Sequence, residues 1–132
     1  MKQSSYILRR RLTLVLFLII WATAVIATHI PAERLPKANI SDKILHAAGF
    51  FLLAGVFWLT LWMYGVDGAK RITLIFFTML TYAAIDEMTQ PLVGRENSLG
   101  DWLADVAGTI AALTLLELMA LWRSWSAPRP AG

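Results

Sequence analysis

The chain has 132 residues, of which 58% are hydrophobic and 16% are charged, and its net charge is +3. Its mean hydropathy of +0.59 departs from that of a soluble domain and indicates extensive lipid contact. Such a short chain leaves no room for a soluble catalytic domain beside its hydrophobic segments. The absence of cysteine excludes disulfides and thiolate metal sites. The basic residues cluster beside hydrophobic segments, which argues against nucleic-acid binding.

The first hydrophobic segment predicts a transmembrane helix over residues 12–30. It contains no Asp, Glu, Lys or Arg, and it follows three consecutive arginines. At 1.5 Å per residue it is long enough to cross a hydrocarbon core of about 30 Å. A basic segment before an apolar run is also typical of a signal peptide. This run is longer than a usual signal-peptide core, so we interpret it as a retained helix, followed by the polar connection 31–43.

Three further transmembrane helices are predicted over residues 44–65, 71–90 and 98–122. The third helix stays uncharged for about 20 Å along its axis and then meets Asp86 and Glu87, which is too early for a complete crossing. These two carboxylates are therefore expected in the far leaflet or at its interface, facing protein. Residues 123–132, rich in proline and arginine, are expected to form a disordered tail.

The start of the fourth helix carries the residues SLGD, which have the spacing of a capping box with Asp in place of Glu. Ser98 is the predicted N-cap, and Asp101 occupies the third helical position. Small residues that allow close approach to a neighbouring helix follow at four-residue intervals, at Ala104, Gly108 and Ala112. Glu117, near the other end of this helix, is expected to snorkel or to pair with a basic residue such as Arg11 or Arg123.

Lysine and arginine are distributed unevenly between the two ends of the predicted spans. One side carries Lys2, Arg9, Arg10, Arg11, Lys70, Arg71, Arg123 and Arg129, and the other carries Arg34, Lys37, Lys43 and Arg95. The positive-inside rule then places both termini in the cytoplasm. The sequence therefore predicts a single all-α domain, a four-helix transmembrane bundle in which the connections 31–43 and 91–97 face outward.

Polar residues form rows at the outward end of three predicted helices, because residues three, four and seven positions apart share one helix face. The rows are Asp42, His46 and Gly49 on the second helix, Glu87 and Gln90 on the third, and Asp101, Asp105 and Gly108 on the fourth. Ionisable groups at membrane depth are costly and usually mark a site, so we expect the rows to meet in one pocket. Its candidate residues are Asp42, Lys43, His46, Asp86, Glu87, Gln90, Arg95, Asp101 and Asp105.

The side chains of this pocket suit several kinds of chemistry. Arg95, Lys43 and a protonated His46 suit the binding of phosphate or pyrophosphate oxygens. The carboxylates suit orientation of these cations, a hard metal ion such as Mg²⁺ or Ca²⁺, or acid–base catalysis. The chain has no CxxC or HExxH zinc pattern, so no metal ligands are assigned. The same residues can instead form a structural ion-pair network that ties the helices together.

The segments SDKILHAAGFFLLA and IDEMTQPLVGRENSLGDWLADVAG resemble the VanZ-like membrane protein family. The resemblance covers residues 42–108. The positions that match the family pattern are Asp42, Lys43, His46, Asp86, Glu87, Gln90, Gly94, Arg95, Asp101, Asp105 and Gly108. Many relatives carry Asn where this chain has Asp105, so this chain places more negative charge there. The resemblance implies an envelope-associated protein, since some members lower susceptibility to teicoplanin-type glycopeptides.

These observations predict a multi-pass protein of the bacterial inner membrane with an outward-facing polar pocket. The expected ligand is an envelope lipid, a lipid-linked precursor or a glycopeptide, with altered teicoplanin susceptibility as the implied phenotype. Two alternatives are a membrane enzyme that acts on a lipid phosphate and a structural subunit of an envelope or polysaccharide-export complex. A homo-oligomer or a membrane-protein partner is compatible with each alternative, and no cofactor is predicted.

Overall fold

A computed structural model describes residues 2–34 and 41–126, and the regular structure in this part of the chain is helical. Four α-helices follow one another: α1 (Lys2–Thr28), α2 (Asp42–Met63), α3 (Gly68–Thr89) and α4 (Leu99–Ser126). Short 3₁₀ turns lie at Ala32–Arg34 and Gln90–Val93. All four α-helices are long and apolar enough to cross a membrane, which confirms the predicted all-helical architecture with four such helices in the described part of the chain.

The helices extend beyond the apolar runs that predicted them. α1 begins at Lys2 and includes the three arginines that the prediction left before residue 12. α4 continues to Ser126, so residues 123–126 are helical and do not belong to the predicted tail. Hydropathy marks the part of a helix that fits hydrocarbon, whereas arginine and lysine are good helix formers beyond it. The rest of the predicted tail, 127–132, and residues 35–40 of the first connection lie outside the described residues.

The turn between α2 and α3 is short because a glycine ends α2 and an aspartate caps the start of α3. Gly65 follows α2 with a φ of 76°, a left-handed conformation that glycine adopts without a steric cost. Asp67 then caps α3, because its side chain accepts a hydrogen bond of 3.0 Å from the backbone N–H of Lys70. Two antiparallel helices are thereby connected within a few residues.

α2 and α4 form the most extensive helix pair of the bundle. Gly108 makes their close approach possible, since a Cβ atom at this position would overlap the backbone carbonyl of Ala47. The predicted run of small residues on α4 therefore does face a neighbouring helix, and both Gly108 and Ala112 are buried. Because Ala47 follows His46 in the chain, this contact also fixes the polar residues at the start of α2 against α4.

Aromatic side chains join α1 and α3 to this central pair. Phe17 of α1 stacks on Phe57 of α2 with ring centroids 4.6 Å apart, and Trp21 contacts Tyr82 of α3 at 5.2 Å. Phe50 of α2 stacks on the same tyrosine at 5.4 Å. Most of the other large apolar side chains of α1 are exposed. An apolar exterior of this extent suits contact with lipid and is unlike the surface of a soluble monomer.

A cluster of polar side chains lies at the end of the bundle opposite to His46. Its member on α2 is Trp58, about 18 Å from His46 along the helix axis. Arg71 donates from Nη2 and Nε to Glu117 Oε1 at 2.7 and 3.1 Å, and from Nη1 to the carbonyl of Val66 at 2.9 Å. Trp58 Nε1 donates to the same Oε1 at 2.7 Å, and its ring centroid is 4.6 Å from the guanidinium carbon. Glu117 therefore pairs with a basic residue, as predicted, but that residue is Arg71 and neither of the examples Arg11 and Arg123. The start of α3 packs beside this turn of α4 and supplies the guanidinium.

Candidate functional site

The predicted polar rows meet where α2 begins, α3 ends and α4 begins. His46 Nδ1 lies 3.0 Å from Asp105 Oδ1 and 3.9 Å from Glu87 Oε1. All three residues are buried, and Asp105 is completely so. The prediction that side chains from three helices converge is confirmed by these contacts. We call His46, Glu87 and Asp105 the buried triplet.

Two ion pairs lie on the outer side of the buried triplet. Lys43 Nζ is 2.8 Å from Asp101 Oδ1, and Arg95 Nη2 is 3.0 Å from Asp42 Oδ2. The Lys43 and Asp42 side chains are 58% and 53% exposed, whereas those of their partners are 9% and 10% exposed. Carboxylate oxygens of Asp42 and Asp101 and a ring nitrogen of His46 lie within 4.8 Å of one another. The two ion pairs are therefore adjacent, and we call these four residues the outer pairs.

Asp86 and Gln90 extend the site toward α1. Gln90 Nε2 donates to Asp86 Oδ2 at 3.2 Å and to Glu87 Oε1 at 3.1 Å, so one buried amide joins both carboxylates. The hydroxyl of Thr28, at the end of α1, donates to Asp86 Oδ1 at 2.7 Å. All nine predicted site residues therefore belong to one connected cluster, and the four helices all contribute to it.

Several residues of this cluster were not predicted from the sequence. His29 Nε2 lies 2.9 Å from the hydroxyl of Thr89, and its Nδ1 is 3.8 Å from Asp86 Oδ1. Arg95 Nη1 donates to the carbonyl of Thr28 at 3.2 Å. The sequence feature that could have indicated these contacts is the polar pair Thr28 and His29. It lies at the end of the first apolar segment, on the same predicted side of the membrane as the rows. Even so, the sequence did not indicate these contacts, because α1 carries no row of polar residues at helical spacing near this end.

The start of α4 is capped by two different residues. Ser98 Oγ accepts a hydrogen bond of 3.3 Å from the backbone N–H of Asp101, as the predicted N-cap requires. The reciprocal bond is not made by Asp101, whose side chain binds Lys43. Glu87 Oε2 instead accepts from the backbone N–H of Ser98 at 2.7 Å. A carboxylate of α3 therefore completes the cap of α4, and this fixes the orientation of Glu87 within the buried triplet.

The charge of the site is unbalanced in its buried part. Asp86, Glu87 and Asp105 are each at most 3% exposed. Within residues 2–34 and 41–126, the ion pairs of these three carboxylates are with histidines, not with lysine or arginine. In the same part of the chain, Asp105 Oδ2 is buried without a hydrogen-bond partner, as is Thr109 Oγ1 one turn later on α4. The site therefore contains buried groups that its own side chains leave unsatisfied.

The arrangement provides two sets of possible metal ligands that share a histidine. One is the buried triplet, and the other consists of Asp42, His46 and Asp101. In each set, one ligand atom per residue lies within 4.8 Å of the others. The site also places a basic imidazole between two carboxylates, which is a suitable arrangement for proton transfer.

Comparison of the chain with protein-family models, with curated proteins and with solved structures gives no match. The VanZ-like resemblance of residues 42–108 therefore stays a prediction from the sequence motifs. The functional argument depends on the geometry of the polar cluster.

Proposed function

We propose that this protein binds the phosphate-bearing head group of an envelope lipid or of a lipid-linked precursor. The observation that carries the proposal is the position of the outer pairs. They bring the guanidinium of Arg95 and the ammonium of Lys43 to the border between buried and exposed parts of one polar cluster. A phosphate at this border would contact both cations while its lipid chain stays among the apolar helices.

Hydrogen bonds fix the side chain of Arg95 in a position from which it can bind such a ligand. Its side chain is 10% exposed, and it donates to the carbonyl of Thr28 and to the carboxylate of Asp42. The carboxylate of Asp42 is half-exposed, so an incoming phosphate can replace it on the planar guanidinium with bidentate hydrogen bonds. Lys43 supplies a second, more mobile point charge.

The proposed setting is the inner membrane of a bacterium, with both termini in the cytoplasm and the cluster facing outward. The excess of lysine and arginine at the opposite end supports this orientation. Since the chain has no cysteine, single cysteines at Asn97 and Ala69 report on the two sides. We expect an impermeant thiol reagent to label the Asn97→Cys variant in intact cells and the Ala69→Cys variant only after lysis. The reverse pattern would refute the orientation.

Binding is tested with purified protein in detergent, using a polyprenyl phosphate as the probe and the matching polyprenol as its neutral control. We expect saturable binding of the phosphate, with an affinity at least about tenfold above that of the alcohol because of the charge-assisted bonds. Arg95→Gln should remove this preference, whereas Arg34→Gln, on the same side of the membrane, should keep it. Equal affinity for phosphate and alcohol, or an Arg95→Gln variant that keeps the preference, would contradict the proposal.

A glycopeptide is the alternative ligand that the VanZ-like resemblance supports. In that case Glu87→Gln, Arg95→Ala and His46→Ala abolish any change in teicoplanin susceptibility while the protein still inserts into the membrane. The amount of folded protein must be measured beside the phenotype, because loss of one member of a buried charge pair costs about 3–5 kcal/mol. Loss of the phenotype only in proportion to folded protein would favour the structural network.

A membrane enzyme that acts on a lipid phosphate is the second candidate function. It is favoured by the position of His46 between Asp105 and Glu87, at 3.0 and 3.9 Å, since an imidazole held by carboxylates is a suitable general base. This version requires that purified protein release inorganic phosphate from the lipid probe. It also requires that Glu87→Gln lose turnover while binding is retained. A structural subunit of an envelope complex would instead retain its partner proteins after the Glu87→Gln substitution.

A further inference from the structure

The buried triplet and its surroundings contain more negative charge than the protein neutralises. Asp101 and Asp42 are paired with Lys43 and Arg95, but the remaining carboxylates have only imidazoles as ion-pair partners in the described part of the chain. Protonation of His46 would supply one positive charge for the two carboxylates that face it. Isolated carboxylates are too costly to keep ionised away from water, so a further cation is required if both stay charged.

The geometry of the buried triplet suits a metal ion. Ligand atoms about 2.1 Å from a metal are about 3.0 Å apart at an angle of 90° and about 3.4 Å apart in a tetrahedron. The distances from His46 Nδ1 are 3.0 Å to Asp105 Oδ1 and 3.9 Å to Glu87 Oε1. The His46–Asp105 separation therefore fits a shared metal already, and the Glu87 oxygen is about 0.5 Å beyond the tetrahedral separation from His46 Nδ1. The three ligand atoms already lie within 4.8 Å of one another.

An independent observation also indicates a missing positive partner. Among residues 2–34 and 41–126, Oδ2 of Asp105 finds no hydrogen-bond partner, and the residue is completely buried. A carboxylate oxygen can only accept, so a buried one without a donor or cation is unfavourable. A metal bound by the triplet would lie next to this carboxylate and would compensate for its charge.

The residues around the triplet hold its members as a metal site requires. Gln90 donates to Glu87 Oε1, and the backbone N–H of Ser98 donates to Glu87 Oε2, so the carboxylate has a fixed orientation. Such outer contacts position the ligands of known metal sites and raise their affinity. Gly108, one turn beyond Asp105 on α4, allows the approach to Ala47 that keeps α4 close to His46.

We propose that His46, Glu87 and Asp105 bind a divalent first-row transition metal such as Mn²⁺ or Zn²⁺. The mixed nitrogen and oxygen donor set favours these ions over Mg²⁺ and Ca²⁺, which prefer oxygen ligands alone. Asp42 and Asp101, which lie on the outer side of the same histidine, give the ion a path between the exposed surface and the triplet. This proposal is independent of lipid binding, because it depends on the triplet and not on Arg95 or Lys43.

The test uses the full-length protein in detergent, stripped with EDTA and titrated with Mn²⁺ or Zn²⁺ alone. We expect saturable binding of about one ion per chain, as one triplet requires, together with a rise of the thermal unfolding temperature. His46→Gln and Asp105→Asn should weaken binding at least about tenfold, since even outer residues of metal sites contribute about 10–100-fold. Glu96→Gln changes an exposed carboxylate of the connection between α3 and α4 and should keep the wild-type affinity.

Asp105→Asn keeps the size of the side chain and an oxygen acceptor for His46, so it tests the site even if His46→Gln does not fold. An Asp105→Asn protein that elutes as wild type and binds the metal at least about tenfold more weakly supports the site. No saturable binding by the wild type would overturn the proposal. An unchanged affinity in the Asp105→Asn variant would also overturn it, because the ion would then bind elsewhere. If the wild-type protein binds polyprenyl phosphate but no metal, the metal proposal is contradicted and the proposed lipid binding is not.

Discussion

The two ends of the bundle solve the problem of burying charge in different ways. At one end, Arg71 and Glu117 form a pair of one cation and one anion, and Trp58 satisfies the same carboxylate oxygen. At the other end, the buried triplet has two carboxylates around one histidine, and Asp105 Oδ2 has no donor within the described residues. The first cluster is complete in itself, whereas the second is not.

This difference in charge balance favours a structural role for the end that carries Arg71 and a ligand site at the end that carries His46. A balanced pair ties α3 to α4 and needs nothing from outside, as polar contacts between membrane helices commonly do. An unbalanced cluster must take up a proton, a cation or a ligand to be stable at this depth. The comparison therefore supports ligand binding at the end that carries His46 and a structural role for the end that carries Arg71.

The largest effect is expected from breaking the balanced pair. Arg71→Ala should lower the free energy of unfolding by about 3–5 kcal/mol, because it leaves the carboxylate of Glu117 without its cation. The side chains of Arg71 and Glu117 are 6% and 20% exposed, so water replaces little of the lost contact. Unfolding in detergent, followed by circular dichroism, measures this loss.

The double variant Arg71→Met/Glu117→Gln is the control for that measurement. Removal of both charges should recover much of the lost stability, since well-packed neutral residues often replace a buried ion pair without penalty. In both variants, the protein that is folded should still bind polyprenyl phosphate more tightly than polyprenol. Only the amount of binding should fall, in proportion to the amount of folded protein. A complete loss of that preference in the stable double variant would contradict the assignment of this end to structure.

A smaller effect is expected at the contact that supports the buried triplet. Gly108→Ala should cost about 1–3 kcal/mol of stability, because its methyl group would overlap the carbonyl of Ala47 and force α2 and α4 apart. The same change at Gly49 meets no atom within 4 Å and is the matched control. Gly108→Ala should also weaken metal binding, since His46 and Asp105 lie on either side of this contact. Equal unfolding temperatures for both variants would show that the helices are not packed this closely.

The convergence of the polar rows could be predicted because helical spacing alone places such residues on one face. The four long apolar helices could be predicted from length and hydropathy. The individual partners could not be predicted. Whether Lys43 meets Asp101 or Asp42 depends on the rotation and depth of α2 against α4, which the close contact at Gly108 determines.

The contribution of α1 was missed for a related physical reason. Thr28 ends α1 and His29 directly follows it, so these two polar residues are adjacent in sequence and form no row of helical spacing. Their contacts with Asp86 and Thr89 depend on how the end of α1 packs against α3. The partner of Glu117 was missed because the arginine that lies beside it is the one at the start of α3. Charge counting located these residues near an interface but did not specify their neighbours.

The smallest effect is expected at the cap of α4, where the polar end also takes part in local structure. Ser98→Ala removes the side-chain acceptor of the Asp101 N–H, which also donates to the backbone carbonyl of Ser98, and should lower the free energy of unfolding by about 1 kcal/mol. Ser124→Ala is the control, because the exposed hydroxyl of Ser124 donates to the carbonyl of Leu121 within its own helix. The backbone N–H of Ser98 remains in the variant, so Glu87 keeps its hydrogen bond and metal affinity should change less than twofold, about 0.4 kcal/mol. A large loss of metal affinity in Ser98→Ala, measured by the same titration, would show that the cap itself positions the triplet and that structure and binding are not separable at this end.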